Sequence, residues 1–340
     1  MKTFLTKFSS FRNRYYRSST GVESQQFLLA TIKKIVASNP KLGITVDEFP
    51  HPWGQNSITV KIPPAKSVKA DEKIVILGAH QDSTNLLPFL PAPGADDDGS
   101  GTTTLITALS ILVNASFVPS TNPVEFHFYS AEEGGLLGSA AVAQAYGAAG
   151  KKIRGFLQQD MTAYVKPGTE PTYGIINDFV DPALTDFIVK VAEEYGEIPV
   201  VQTQCGYACS DHASWSKIGA PSSFVIESSF ADSSKDIHST RDTIEAAGFS
   251  FEHLEAQTNS VSSLKHTHAR FLLNRPVPHP CLTLTSQDSF EISKIQRNAT
   301  NGPKNSSPRK TSSKSAQPHP GSQVPPPPIL SRARRHSCSS

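Results

Sequence analysis

The 340-residue chain is poor in cysteine, methionine and tryptophan, and only Cys205 and Cys209 of its four cysteines (Cys205, Cys209, Cys281 and Cys338) stand close enough to suggest a local relationship. No apolar run reaches the roughly 18 residues of a membrane span, so a membrane partner is not expected. The first twenty residues have no charged n-region followed by an apolar h-region, because Lys7, Arg12, Arg14 and Arg17 interrupt every apolar stretch before it reaches signal-peptide length. Nothing repeats at a fixed period, which excludes a solenoid. No G-x-S-x-G is present, against a serine-hydrolase triad, and no G-x-G-x-x-G, against a dinucleotide-binding fold. A basic surface is also missing from the body of the chain. Residues 291–340 carry nine Lys/Arg against one Asp/Glu, leaving 23 basic against 29 acidic residues over 1–290, so no nucleic-acid partner is expected.

What is present is 37% hydrophobic residues, enough for a large core. One domain over 1–273 is expected, followed over 274–340 by a Ser/Pro/Lys/Arg-rich tail that cannot bury enough apolar surface to offset its ordering entropy. Residues 22–37 put Val22, Phe27, Leu28, Ile32 and Ile35 near one face of a helix. "SITVKI", "KIVILGAH", "PVEFHFYS" and "IRGFLQQDM" read as strands, with "TTTLITALSILV" a helix among them. This alternation predicts an α/β fold with a mostly parallel central sheet and helices on both faces, and ligands bound beyond the carboxyl ends of the strands.

The polar residues at those ends carry the chemistry. They are His80 and Asp82 in "GAHQDS", Glu132 and Glu133 in "SAEEGGLLGS", and Asp160 in "QQDM", with Asp96, Asp97 and Asp98 in "PGADDDGSG" on the crossover between the first two. Farther on, "CGYACSDHASW" offers Tyr207 and His212, and "DIHSTRDT" offers His238. Any one of them alone reads as a capping Asp or a hydrogen-bonded His. Together they read as a metal centre: five such ligands would close a single tetrahedral zinc, whereas two metals can share a bridging carboxylate and still hold a water. Adjacent cations would also stabilise neighbouring carboxylates that otherwise raise one another's pKa. The spacing of Cys205 and Cys209 is open to a disulfide or a zinc knuckle, although no second Cys/His pair stands at zinc-finger spacing.

These six motifs, in this order over about residues 5–255, resemble the secreted di-zinc leucine aminopeptidases of fungi, related to the bacterial co-catalytic zinc aminopeptidases. The resemblance implies a three-layer zinc-peptidase/phosphorylase-like sandwich and two Zn²⁺ per chain. Asp97 would bridge the ions, with Glu133 and His238 completing one and His80 and Asp160 the other. It implies a cis Asp97–Asp98 peptide, Asp82 as the group orienting His80, and Asp98 as a neighbour that tunes the site. Glu132 would be the general base of attack by a zinc-bridging water, and Tyr207 would stabilise the oxyanion. Cys205 and Cys209 would form a small disulfide, and Met161, Ile176, Phe224, Ile226, Phe230 and Ile237 would line an apolar subsite for the first side chain. The implied activity is removal of large apolar N-terminal residues from peptides by a secreted, monomeric enzyme. Sequons at Asn114, Asn298 and Asn305 would be glycosylation sites on export. The readings that compete on the same fold are a single-zinc glutaminyl cyclase and an inactive binding ectodomain. "FSFEHLEA" starts like the family's last helix, but Thr258, Asn259 and Ser260 are weak helix formers, so that helix is expected to be shortened or poorly packed.

Overall fold

The computed structural model describes residues 1–65 and 73–259. The expected tail, Cys281, Cys338, Asn298 and Asn305 lie outside the described residues. With strands labelled in chain order, β1 (Thr45–Phe49) and β2 (Ser57–Ile62) form an antiparallel hairpin at one edge of the sheet. β2 is also antiparallel to β4 (Val124–Tyr129). β3 (Ile74–His80) runs parallel to β4 on one side and to β5 (Ile153–Gln159) on the other. β8 (Ser222–Ile226) extends this parallel run, and β6 (Tyr173–Ile176) and β7 (Val200–Thr203) attach beyond it. The order is β1-β2-β4-β3-β5-β8-β6-β7. The centre is the parallel βαβ arrangement that the sequence pattern predicts, while antiparallel pairs on both sides of it make the sheet mixed.

Alternation along the strands feeds two apolar layers. Leu77, Phe126, Phe128 and Leu157 face one side, covered by α1 (Lys2–Phe8), α2 (Ser19–Ala37), α3 (Gly99–Asn114) and α5 (Pro182–Tyr195). Ile74, Ile76, Tyr129 and Phe156 face the other, covered by α4 (Leu137–Ala148) and α6 (His212–Lys217). The fully buried Trp215 anchors α6, stacked on Phe156 at 5.4 Å and edge-on to Tyr146 at 5.6 Å. Truncating such a side chain to Ala costs about 3–5 kcal/mol. Helix starts follow local chemistry: the side chains of Ser18, Asp98 and Asp181 accept backbone N–H bonds at the starts of α2, α3 and α5. The last described helix, α7 (251–259), departs from the expectation of poor packing. Through residue 259 it stays helical, with Leu254, Gln257 and Thr258 buried. The Thr258 hydroxyl donates to the Leu254 carbonyl at 2.8 Å, and Tyr173 donates to the Ala256 carbonyl at 3.1 Å. Burial and these bonds override weak intrinsic propensity.

Candidate functional site

At the carboxyl ends of β3, β4 and β5 the chain turns sharply, and its polar side chains converge. β3 ends on His80, β5 leads into Asp160, and Glu132 and Glu133 follow β4. Asp97 precedes α3 on the crossover loop, and its peptide to Asp98 is cis, as the resemblance implies. Gly94 in that loop has φ +54°, and a Cβ there would meet the Asp97 carbonyl oxygen at 2.5 Å and Ser83 Cβ at 2.6 Å, so no larger residue fits. Ala131, Met161 and His238 also have positive φ, the left-handed region that costs a residue with a side chain about 1–3 kcal/mol. All three sit at this site.

The Asp97 carboxylate points one oxygen at each of two histidines: Oδ1 lies 3.1 Å from His80 Nε2 and Oδ2 lies 3.1 Å from His238 Nε2. Asp160 Oδ1 is 3.6 Å from His80 Nε2, and Glu133 Oε2 is 2.9 Å from His238 Nε2. Two clusters of possible metal-ligand atoms result, His80 with Asp98 and Asp160, and Asp97 with Glu133 and His238. Asp98 is committed elsewhere. Its Oδ2 accepts the His80 N–H at 3.0 Å and its Oδ1 accepts the N–H groups of Gly101 at 2.7 Å and Met161 at 3.2 Å, so it fastens β3, α3 and the β5 end together. Asp97 is the carboxylate open to both sides.

Asp82 does more than orient one ring. The His80 Nδ1 atom lies 3.2 Å from its carbonyl and 3.5 Å from its carboxylate, while that carboxylate accepts the backbone N–H groups of Glu132 at 3.0 Å and Glu133 at 3.2 Å. One side chain therefore sets the positions of both glutamates.

Burial raises the Asp97 pKa, but hydrogen bonds from His238 and His80 outweigh it and hold the carboxyl below its usual range. Hydrogen bonds to Asp97 and Glu133 push His238 up to about 11. Burial, then the charge of Asp97, pushes Glu133 up to about 7. Glu132 is pushed well above the carboxylate range, first by burial, with Asp211, Glu133 and Asp160 adding to it against the opposing His80. So many carboxylates in one buried place repel one another, and divalent cations would relieve that repulsion. Asp160 Oδ1 and Glu133 Oε1 are buried with no hydrogen-bond partner, as atoms awaiting a cation would be. Imidazole nitrogen and carboxylate oxygen are zinc ligands, so the donor set fits that metal.

Beside the ligands lies a cleft of about 430 Å³. Its apolar wall is Met161, Phe224, Ile226, Phe230 and Ile237, all of them residues expected from the sequence. Ile176 differs: it is fully buried in the same apolar cluster, and Met161, Phe224 and Ile226 pack there with it, but it does not line the cleft. Its neighbours on β6 are buried as well, so the inward alternation takes it into the core. Tyr207 stands exposed at the rim, edge-on to Phe230 at 6.3 Å. Its loop is closed by a Cys205–Cys209 disulfide and fastened by Asp178, whose carboxylate accepts the N–H groups of Cys205 at 3.1 Å and Gly206 at 2.7 Å.

Several supporting residues were not singled out from the sequence for this site. Asp242 accepts the N–H groups of Asp96 at 2.8 Å and Asp97 at 3.1 Å. Asp96 itself accepts the Ala163 N–H at 3.1 Å, and Ser210 donates to Asp160 Oδ2 at 2.6 Å. Arg14, fully buried, donates to the carbonyls of Gln81, Pro93 and Gly94 beneath the acidic loop. Asp96, Ser210 and Asp242 lie inside the quoted runs "PGADDDGSG", "CGYACSDHASW" and "DIHSTRDT", whereas no quoted motif contains Arg14.

Two adjoining clusters of possible cation ligands at the strand ends of an α/β sheet are the arrangement of a metal site. The chain belongs to peptidase family M28, whose sequence model matches residues 57–258. It is 50% identical over 263 residues to a leucine aminopeptidase 1 of Pyrenophora tritici-repentis, covering 75% of this chain and 66% of that protein. The chain thus spans 66% of the length of that curated relative, and the same share of leucine aminopeptidase 1 of Blastomyces gilchristii, to which it is 51% identical over 258 residues and 73% of its own length. Its fold is similar to that of the Legionella pneumophila LapA aminopeptidase, with TM-score 0.72 and 29% identity over 79% of this chain and 70% of that one. Porphyromonas gingivalis glutaminyl cyclase, at 20% identity and TM-score 0.60 over 76% of this chain and 94% of that one, shares the fold alone.

Proposed function

We propose that the chain is a zinc aminopeptidase that binds two ions and removes N-terminal, preferably large apolar residues from peptides. The observation that carries this reading is Asp97, its carboxylate 3.1 Å from a histidine on either side and adjoining a cleft with an apolar wall. His80, Asp97 and Asp160 would hold one zinc, and Asp97, Glu133 and His238 the other. Bound there, zinc would polarise the scissile carbonyl and make water a nucleophile at neutral pH.

The residues of this chain divide the remaining work. Glu132, its carboxyl pKa raised first by burial, takes a proton from the attacking water and returns it to the leaving amine. Asp82 keeps that carboxylate in register with Glu133 through the two backbone N–H groups it accepts. Tyr207 donates its hydroxyl to the carbonyl oxygen as negative charge gathers on it. Met161, Phe224, Ile226, Phe230 and Ile237 take the first side chain, and burying a leucine there is worth roughly 1.5–3 kcal/mol. The names of the fungal relatives support the leucine-like preference.

The proposal extends to a secreted, monomeric enzyme whose partners are its peptide substrates. A disulfide in the Tyr207 loop suits an oxidising compartment, no helix among the described residues is long and apolar enough to cross a membrane, and Asn114 is exposed at the end of α3 where it can carry a glycan. Metal analysis together with hydrolysis of leucyl-p-nitroanilide tests the central reading. The expected result is two zinc ions per chain, with activity lost to a chelator and restored by zinc. Full activity with one tightly bound ion, or cyclisation of N-terminal Gln without release of leucine, overturns it.

A further inference from the structure

We infer that Lys235 is a specificity-determining residue of the cleft, a fixed positive charge on the wall of the first-residue subsite that turns away peptides beginning with Lys or Arg. The inference rests on the aminopeptidase reading and adds a selection that the apolar wall alone does not make. A hydrophobic pocket discriminates weakly against a long side chain with an apolar stem, since lysine can lay its methylenes along the wall and keep its ammonium in water. A like charge at the mouth removes that option.

The residues lining the cleft include four carboxylates and His238, and Lys235 is the one lysine or arginine among them. It stands two residues before Ile237, on the same turn as Phe230, both of which belong to the apolar wall. Its Nζ donates to the Phe230 carbonyl at 3.3 Å and lies 3.5 Å from Ser233 Oγ, with the Phe230 ring centroid 5.9 Å away. These contacts hold the ammonium beside Phe230, a residue of the apolar wall.

The acids nearby are taken by other cations. Asp232 accepts from Lys166 Nζ at 2.6 Å, and Asp236 from Arg241 Nε at 2.6 Å. No ion pair of Lys235 is present among the described residues; Asp232 feels its charge but is paired with Lys166, so the Lys235 charge can act on whatever enters the cleft. The turn that carries it is secured from below: Glu227, fully buried, accepts the Ser234 N–H at 2.8 Å, and Ser234 Oγ accepts the Asp236 N–H at 3.3 Å. Lys235 is thus a charge on a braced turn, and repulsion between it and a second ammonium in a partly desolvated cleft is worth roughly tenfold in kcat/KM.

The test compares zinc-loaded wild type, Lys235→Met and Lys235→Glu on leucyl-, lysyl- and glutamyl-p-nitroanilide at low and high salt. Lys235→Met keeps the apolar stem and removes the charge. Its lysyl-to-leucyl ratio of kcat/KM rises roughly tenfold, and Lys235→Glu raises it further while lowering the glutamyl-to-leucyl ratio. The wild-type ratio itself rises with salt as the repulsion is screened. The ratio of inhibition constants of free lysine and free leucine moves in the same sense, a binding readout that does not depend on turnover. Zinc content and melting temperature like those of wild type show that each variant is folded. Lysyl-to-leucyl ratios that stay within twofold of wild type in both variants overturn the inference and leave the aminopeptidase reading standing. A wild-type protein that releases no leucine sinks that reading itself.

Discussion

Replacing Arg14 by methionine removes the positive charge that lies beneath the acidic loop. Burial lowers the pKa of the guanidinium, while Asp242, Asp98, Asp82 and Asp97 act to keep it charged. Its Nε and Nη2 each donate at 2.8 Å, to the carbonyls of Gln81 and Gly94, Nη1 donates to Pro93, and its Cζ sits 4.4 Å from the centre of the Phe8 ring. Methionine nearly fills the volume and keeps the contact with Phe8, so the loss is electrostatic: the carbonyls of Gln81 and Pro93 lose their Arg14 donor, that of Gly94 keeps only the Gly99 N–H at 3.1 Å, and four carboxylates lose a nearby positive charge. Removing one partner of a buried charged group costs about 3–5 kcal/mol. At about 2–4 °C per kcal/mol for a domain of this size, that lowers Tm by roughly 6–20 °C. Arg14→Lys restores the charge but cannot reach three divergent carbonyls with one compact ammonium, so it falls between the two. Differential scanning calorimetry of the zinc-loaded proteins reads the series. A methionine variant melting within 2 °C of wild type refutes the reasoning, since the guanidinium would then contribute nothing that water or rearrangement could not replace.

Glu132→Gln is expected to retain zinc while losing turnover by roughly 10²–10⁴, the usual worth of a general base, whereas Glu133→Gln also weakens metal binding; equal metal loss in both variants would mean the neighbouring roles are assigned wrongly. Tyr207→Phe lowers kcat on leucyl-p-nitroanilide by roughly 10–10³ if its hydroxyl meets the developing oxyanion, and an unchanged kcat would remove it from that role. Burial lowers His253 to about 4, with its Nε2 hydrogen bond to the Glu227 carbonyl opposing. The unfolded imidazole, near 6.5, therefore takes a proton before the folded one does, so stability is present above about pH 6.5 and falls as pH drops from there toward about 4, by up to about 1.4 kcal/mol per pH unit. Urea titrations at pH 7 and 5 should show a shallower pH slope for His253→Gln than for wild type, and equal slopes would contradict the burial argument.

The parts of the fold readable in the sequence are those where one residue pattern decides the structure. β2 to β5 are apolar runs, and α2 carries its stripe, so periodicity marks them. β1, "TVDEF", is largely exposed at the sheet edge, and β6 and β7 have four residues each, too few to show a period. α4 is rich in alanine and glycine and offers no contrast between faces. The ligand candidates were readable because each ends an apolar run or sits in a dense motif, and the structure brings His80, Asp97, Glu133, Asp160 and His238 together. Apart from Asp82 and Asp98, what holds them was not readable. Asp242 acts on Asp96 across 146 residues of chain, and Arg14 on Gly94 across 80, and no local pattern signals either meeting. Ile176 fails as a wall residue for a related reason: a strand too short to show which way its side chains face leaves core and cleft indistinguishable.

β8 enters the sheet late in the chain but stands between β5 and the β6–β7 pair, which reaches the rest of the sheet only through it. During synthesis β6 and β7 must therefore wait about fifty residues after Tyr173 for their docking edge to emerge at Ser222–Ile226. Pairings this distant in sequence slow folding, because loop closure must be accomplished before the contact repays it. His238 follows β8 by only twelve residues, so the cluster it shares with Asp97 and Glu133 is completed only after the sheet is whole. The ribosome thus releases the seam of the sheet and the final ligand almost together, and a chain stalled before Ser222 holds neither.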